Sequence, residues 1–117
     1  MNAGRTVPPG RPRSFRTTVH GTLFGGREKL LDRLTVGSQL RLIPEYGREP
    51  AAVWVHVDGG DPVGHLPEEI GEWLAPWMAA GGTARAEALK VRGPDEPSWK
   101  RLVIGVALGE AVEIPPF

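Results

Sequence analysis

The period of the hydrophobic positions changes several times along this chain. In FRTTVHGTLF, β-branched and aromatic residues crowd together, which predicts a first strand over 15–24 bent at Gly21. GREKLLDRL switches to helical spacing, with Leu30, Leu31 and Leu34 on one side, and Gly37 ends it. SQLRLIPE returns to alternation, placing Leu40 and Leu42 inward; Pro44 stops this strand or marks a sheet edge. YGREPAA is a loop. AVWVHVDGG is the cleanest strand pattern, with Val53, Val55 and Val57 on one face and Trp54 and His56 on the other. DGGD predicts a turn, and PVGHL a short strand antiparallel to the one before it.

A longer helix follows. Pro67 suits its first turn, and Glu68 and Glu69 favour the same positive end. Ile70, Trp73, Leu74, Trp77 and Met78 recur on one face, which predicts that Trp73 and Trp77 belong to the core. Pro76 predicts a kink or a division into two short helices, and Gly81 with Gly82 closes the run. TARAEALKV and WKRLVIGVAL read as two more strands around the turn GPDEPS. Five or six short strands around one main helix predict a mostly β, α+β fold: a small, partly closed β-barrel, OB-like or SH3-like. Residues 1–14, rich in Pro, Gly and Arg, read as a flexible arm; 15–110 form one domain, and 111–117 a tail.

Composition narrows the chemistry. The 117 residues contain no cysteine, which excludes disulfides, thiolate nucleophiles and Cys-ligated metal sites. No apolar run approaches a membrane span, and MNAGRTVPPGRPRS lacks a signal-peptide core, so the expected setting is cytoplasmic. The formal net charge of +0 conceals a polarity: residues 1–48 hold nine Lys/Arg against three acids, and the remainder reverses the balance. Neutrality argues against sequence-blind duplex binding, which rests on many phosphate contacts, yet permits a few local ones.

The common catalytic motifs are absent. GTLFGGREK lacks the Gly-Lys-Ser/Thr end of a phosphate loop, and GxSxG is missing. Three histidines, His20, His56 and His65, show no metal-ligand spacing, although His56 and His65 could face each other across the DGGD hairpin. The acid pairs Asp58/Asp61, Glu68/Glu69 and Asp95/Glu96 sit in turns or at a helix start, where acids have structural uses. The reading is non-enzymatic, with no cofactor and no metal. What remains is a surface for stacking and phosphate contact: Phe24 with Arg27, Tyr46 with Arg48, Trp54, and Trp99 with Lys100 and Arg101.

From about Phe15 to Leu108 the chain resembles the HIRAN domain family, in its stand-alone bacterial type. The resemblance rests on the Val-Gly-His-Leu-Pro elbow at 63–67, the Ala-Val-x-Val strand at 52–55, and the helix ending in Gly81 and Gly82. It implies an OB-like barrel and capture of single-stranded DNA by its 3′ end, in a DNA-repair setting, with a helicase or nuclease as protein partner. On that resemblance Phe24 stands for the family's first aromatic and Trp99 for its late one. An Arg commonly precedes the first aromatic; here Leu23 does, with Arg27 as the substitute. The family's Asn-Pro-Tyr-Asp-x-Asn-Ala loop is replaced by Tyr46-Gly47-Arg48-Glu49-Pro50-Ala51-Ala52. Both Asn residues are gone, and Glu49 is the carboxylate left for a terminal hydroxyl.

Two main expectations follow. One is a module binding single-stranded DNA through Phe24, Arg27, Tyr46, Arg48, Glu49 and Trp99, with Arg41 adding charge. The other is a protein-interaction module that kept the barrel and lost DNA-end binding. A metal-dependent enzyme, the third, requires His56 and His65 to converge with a carboxylate.

Overall fold

Alternating β-branched residues build a single curled sheet. The computed structural model describes residues 7–47, 49–109 and 112–116; residues 1–6 of the arm, Arg48, and residues 110, 111 and 117 lie outside the described residues. In chain order the elements are β1 (Ser14–Thr18), α1 (Arg27–Leu31), β2 (Gln39–Glu45), β3 (Ala52–Val57), β4 (Pro62–His65), α2 (Glu68–Ala79), β5 (Ala84–Val91) and β6 (Leu102–Leu108). Short 3-10 turns occupy Phe24–Gly26 and Ser98–Lys100.

The strands run antiparallel in the order β1-β6-β5-β2-β3-β4. β2 pairs with β5 only through Gln39↔Glu87 and Leu40↔Ala86, so the sheet splays into two three-stranded halves. The two outer edges meet again at one point. His20 N–H donates to His65 C=O and His65 N–H to His20 C=O, both at 2.9 Å. The result is a partly closed barrel whose interior holds Val19, Val53, Val55, Val63, Leu102, Ile104 and Val106. Leu74, Ala75 and Trp77 of α2 close that core from the side of β2 and β3.

The elbow before α2 is dictated by close approach. A Cβ on Gly64 would lie 2.4 Å from the His20 carbonyl oxygen and 2.6 Å from Val19 Cγ1. Only a residue without a side chain lets β4 reach the chain leaving β1 and form the closing bridge. Pro67 then caps α2 from just outside it, with φ −54° and ψ 146°, and its carbonyl accepts from Ile70 and Gly71. At the far end Gly81 adopts φ +109°, and the Gly81 and Gly82 N–H groups donate to Met78 and Trp77 carbonyls. That is a Schellman closure, which satisfies two carbonyls otherwise left over at a helix end.

The structure differs from the sequence pattern in three places. The first strand stops at Thr18 rather than running to 24, because Gly21 turns the chain at φ +74° and residues 24–26 wind into a 3-10 turn. Pro76 does not divide the helix, which is continuous from Glu68 to Ala79. Glu72 and Pro76 are both exposed, so the carbonyl deprived of its intrahelical donor faces water, where the loss is small. His56 and His65 do not face each other. A bulge after Val55 sets His56 opposite Pro62, and His65 lies beside Trp54 on one side and His20 on the other.

Pro44 lies inside β2, opposite Val53, in the stretch where β2 has left β5. A missing N–H costs no ladder bond there, as expected for an edge. Ahead of β1, Val7 packs against the core, and the Arg11 guanidinium lies 5.0 Å from the Trp73 ring centroid. Trp73 in turn meets Phe15 at 6.1 Å. It is half-buried, a lid on the core's edge, whereas Trp77 is buried.

Candidate nucleic-acid interface

Two short turns carry the exposed rings of Phe24 and Trp99. Gly25 and Gly26 both take left-handed φ, at +59° and +79°, which winds the chain tightly and turns Phe24 out to 70% exposure. Trp99, in the 3-10 turn ahead of β6, is 48% exposed, with Lys100 Nζ 5.0 Å from its ring centroid. Thr22 joins these turns. Its side chain is fully buried and its hydroxyl donates to the Ser98 carbonyl at 3.1 Å. Phe24 and Trp99, 75 positions apart in the sequence, thus sit on neighbouring turns with a cation beside them. Replacing Thr22 with Val keeps the shape and deletes the donor, while the half-buried Ser98 carbonyl keeps its bond from the Arg101 N–H. Chemical denaturation is expected to show a loss of about 0.5–1.5 kcal/mol.

Arg27 has a different task from the free phosphate contact expected of it. It is half-buried, its Nη1 donates to the Gly21 carbonyl at 2.9 Å, and its guanidinium lies 5.2 Å from the Trp54 ring centroid. Trp54 is held from its other end, since Nε1 donates to Glu45 Oε1 at 2.7 Å. His65 meets the indole edge-on at 5.5 Å. The Leu66 carbonyl, an acceptor only, lies 3.1 Å from His65 Nδ1, so the neutral ring carries its proton on Nδ1 and leaves Nε2 as the acceptor. Arg27 and His65 converge over Gly21, where an added Cβ would lie 3.3 Å from Arg27 Nη1 and 3.2 Å from His65 Nε2.

Beside Trp54 and His65 opens a cavity of about 250 Å³, lined also by Pro50, Ala51, Ala52, Leu66 and Glu68. The loop 46–52 therefore supplies one wall of this cavity. Tyr46, 53% exposed, and Glu49, also exposed, stand on that loop, which contains a cis peptide between Glu49 and Pro50. Arg41 projects outward from β2 opposite His56. Arg101, grouped with Trp99 on sequence, is tied into the loop before it by Nε to the Glu96 carbonyl and Nη2 to the Pro94 carbonyl. Of the residues predicted from sequence, Phe24 and Trp99 stand on turns joined by the Thr22–Ser98 bond, Arg27 lies on Trp54, and Tyr46 and Glu49 stand on the loop whose Pro50 and Ala51 line the cavity. Arg48 lies outside the described residues.

No family model matches the chain, and no curated protein matches it. Among solved structures, the HIRAN domain of human HLTF superposes with a TM-score of 0.57 at 18% identity, over 83% of this chain and 76% of that one. The fold is HIRAN-like. At this identity the likeness concerns the path of the chain, which carries the barrel, the elbow and the helix behind it.

The HIRAN-like fold also explains why sequence reasoning undervalued Trp54 and His65. Both point away from the barrel interior, on paired positions of β3 and β4, and alternation along β3 already placed Trp54 on the outer face. What alternation lacked was the partner: only the register brings His65 beside it. Among the described residues no three His, Asp or Glu side chains gather into a metal-binding group, and no helix is long and apolar enough to cross a membrane.

Proposed function

We propose that this chain is a non-enzymatic module that binds single-stranded DNA, with successive bases stacked on Phe24 and Trp99 and the backbone met by Lys100. The observation that carries this reading is the Thr22–Ser98 hydrogen bond, which holds two exposed aromatics and a cation on adjacent turns. Exposed rings beside a few cations are what single-strand binding requires, because every base offers a π-face and each step a phosphate. The resemblance to HIRAN domains supports the same ligand and adds a 3′ end. On this reading the terminal nucleotide enters the 250 Å³ cavity beside Trp54 and His65, with Glu68 in its lining and Tyr46 and Glu49 on the loop that supplies one wall. Glu49 or Glu68 then accepts a hydrogen bond from the terminal hydroxyl. Such a module serves DNA repair or processing in partnership with a helicase or nuclease.

Fluorescence anisotropy with a short single strand bearing a free 3′-hydroxyl, the same strand 3′-phosphorylated, and a blunt duplex tests it. Preference for the free end is expected, since a terminal phosphate brings charge against Glu49 and Glu68. Loss of that preference in Glu49→Ala or Tyr46→Ala supports the loop as the end-reading wall. Equal, salt-labile binding to all three overturns end recognition and leaves only charge contact.

A second reading has its own observation. Leu23 adjoins Phe24 and is also exposed, so the turn presents an apolar pair where a phosphate-binding turn would present a cation. This favours a protein-interaction module. Absence of any single-strand binding at low salt would put that reading first.

A further inference from the structure

The chain continues past β6, and residues 112–116 return across the outer face of β5 and β6. This face is built to receive them. A Cβ on Gly105 would lie 2.6 Å from Ile114 Cγ2 and 3.3 Å from Pro115 Cδ, so the missing side chain at Gly105 is the seat of Ile114. Leu89 and Ala107 flank Gly105, with Leu89 Cδ1 only 3.1 Å from that same position. Both are buried, yet neither belongs to the core inside the barrel. They form a second apolar patch on the opposite side of the sheet. Arg85 fixes the segment by donating from Nη2 to the Val112 carbonyl.

The segment rests on the sheet without joining it. Pro115 and Pro116 lack an N–H, and residues 113–116 form no ladder with β5, so recognition runs through side chains and one charged donor. The surface is also longer than the segment. A recess of about 520 Å³ runs past Arg85, Glu87, Leu89, Glu113, Ile114, Pro115 and Pro116. A second, of about 410 Å³, opens where β2 and β5 splay, among Arg41, Met78 and Thr83. Arg85, Glu87 and Ile114 line both. Ile114 thus stands at the middle of a groove that extends beyond it on either side, with Arg85 and Arg41 along its length.

We propose that the outer face of β5 and β6 is a docking surface for an extended peptide of a partner protein, one with a β-branched residue seated over Gly105, proline after it and an acidic residue before it. Residues 112–116 are the built-in occupant that this partner displaces. The partner's chemistry is read from the occupant: Glu113, Ile114, Pro115 and Pro116 supply those features in that order. Displacement is favoured because a longer peptide also fills the unoccupied stretches of the groove beside Arg41 and Arg85. An extended Pro-containing chain loses little conformational freedom on docking.

The test uses a fluorescein-labelled synthetic peptide, AVEIPPF, titrated into the full-length wild-type chain and the full-length Ile114→Asp variant. Undocking the resident segment is expected to tighten peptide binding at least tenfold. Adding Gly105→Ala to the Ile114→Asp variant is expected to weaken it at least tenfold, and a peptide with Asp in place of its Ile is expected not to bind. Failure of the labelled peptide to bind the Ile114→Asp chain while that chain retains a cooperative thermal melt would overturn the proposal. So would equal binding to wild type and variant. Should Ile114→Asp lose its cooperative melt, Arg85→Ala, which removes the bond to the Val112 carbonyl, is read in its place with the same outcomes.

Discussion

Replacing Gly64 with Ala is expected to lower stability by about 3 kcal/mol or more and the melting temperature by more than about 10 °C. The added methyl would lie 2.4 Å from a backbone oxygen, His20 O, and 2.6 Å from the fully buried Val19 side chain. Neither is the loose end of a surface side chain, so relief requires β4 to move away from the chain leaving β1. That movement breaks the reciprocal His20–His65 hydrogen bonds, which are what joins the outer edges of the sheet. Overpacking and the loss of two backbone bonds therefore act together. Gly93→Ala is the matching control. An added Cβ there finds only Asp95 Oδ1, at 3.5 Å, and the expected change is within about 0.5 kcal/mol. Thermal melts of the two variants, side by side, decide the matter. Equal melting temperatures would refute a barrel closed at Gly64.

The contrast between these two glycines shows where sequence reading reached its limit. Gly64 is legible as the residue that lets the elbow turn closely against the barrel and Gly93 as part of a turn, but the sequence names no partner for either. What separates them is a contact between residues 20 and 64, which no window of ten residues contains. The same division runs through the rest of the fold. Strand β3 was legible because Val53 and Val55 face inward, and its two faces differ in chemistry. Helix α2 was legible because its apolar stripe, its acidic start and its Gly-Gly end agree with one another. The end of β1 was not, since Val19, Thr22 and Leu23 continue the β-rich composition past the point where Gly21 turns the chain.

The candidate site divides similarly. Tyr46 was readable as solvent-facing because its loop is polar, whereas Phe24, read as part of the first strand, was singled out by the resemblance and by Arg27 nearby. Trp99 was placed at the head of the last strand by pattern, and the link between its turn and that of Phe24 depends on Thr22 reaching Ser98. Arg27 was read as a free cation because charge on a short helix ordinarily faces water. In the folded chain it lies on Trp54, so its charge supports a wall of the cavity before it meets any ligand. The seat of residues 112–116 on Gly105 had no local signal at all. A glycine in a strand marks close approach, without saying by what.

Truncating the two exposed aromatics of the joined turns, Phe24→Ala with Trp99→Ala, is expected to weaken single-strand DNA binding by about a hundredfold with little effect on stability. Base–aromatic stacking is worth about 1–3 kcal/mol per base, and 1.4 kcal/mol is a factor of ten, so two platforms at about 1.4 kcal/mol each, in the lower half of that range, give two powers of ten. Stability is expected to hold because Phe24 and Trp99 are 70% and 48% exposed and neither belongs to the buried core. The two single variants separate stacking from charge. Phe24→Ala is expected to lower affinity about tenfold while leaving the salt dependence unchanged, because it removes no cation. Lys100→Ala is expected to flatten that dependence by about one phosphate contact, because it removes the ammonium that lies over the Trp99 ring. Anisotropy titrations at three salt concentrations give both quantities from one set of curves. If Phe24→Ala binds as tightly as the wild type, the ring is not a base platform. Its exposure beside Leu23 then belongs to a protein partner.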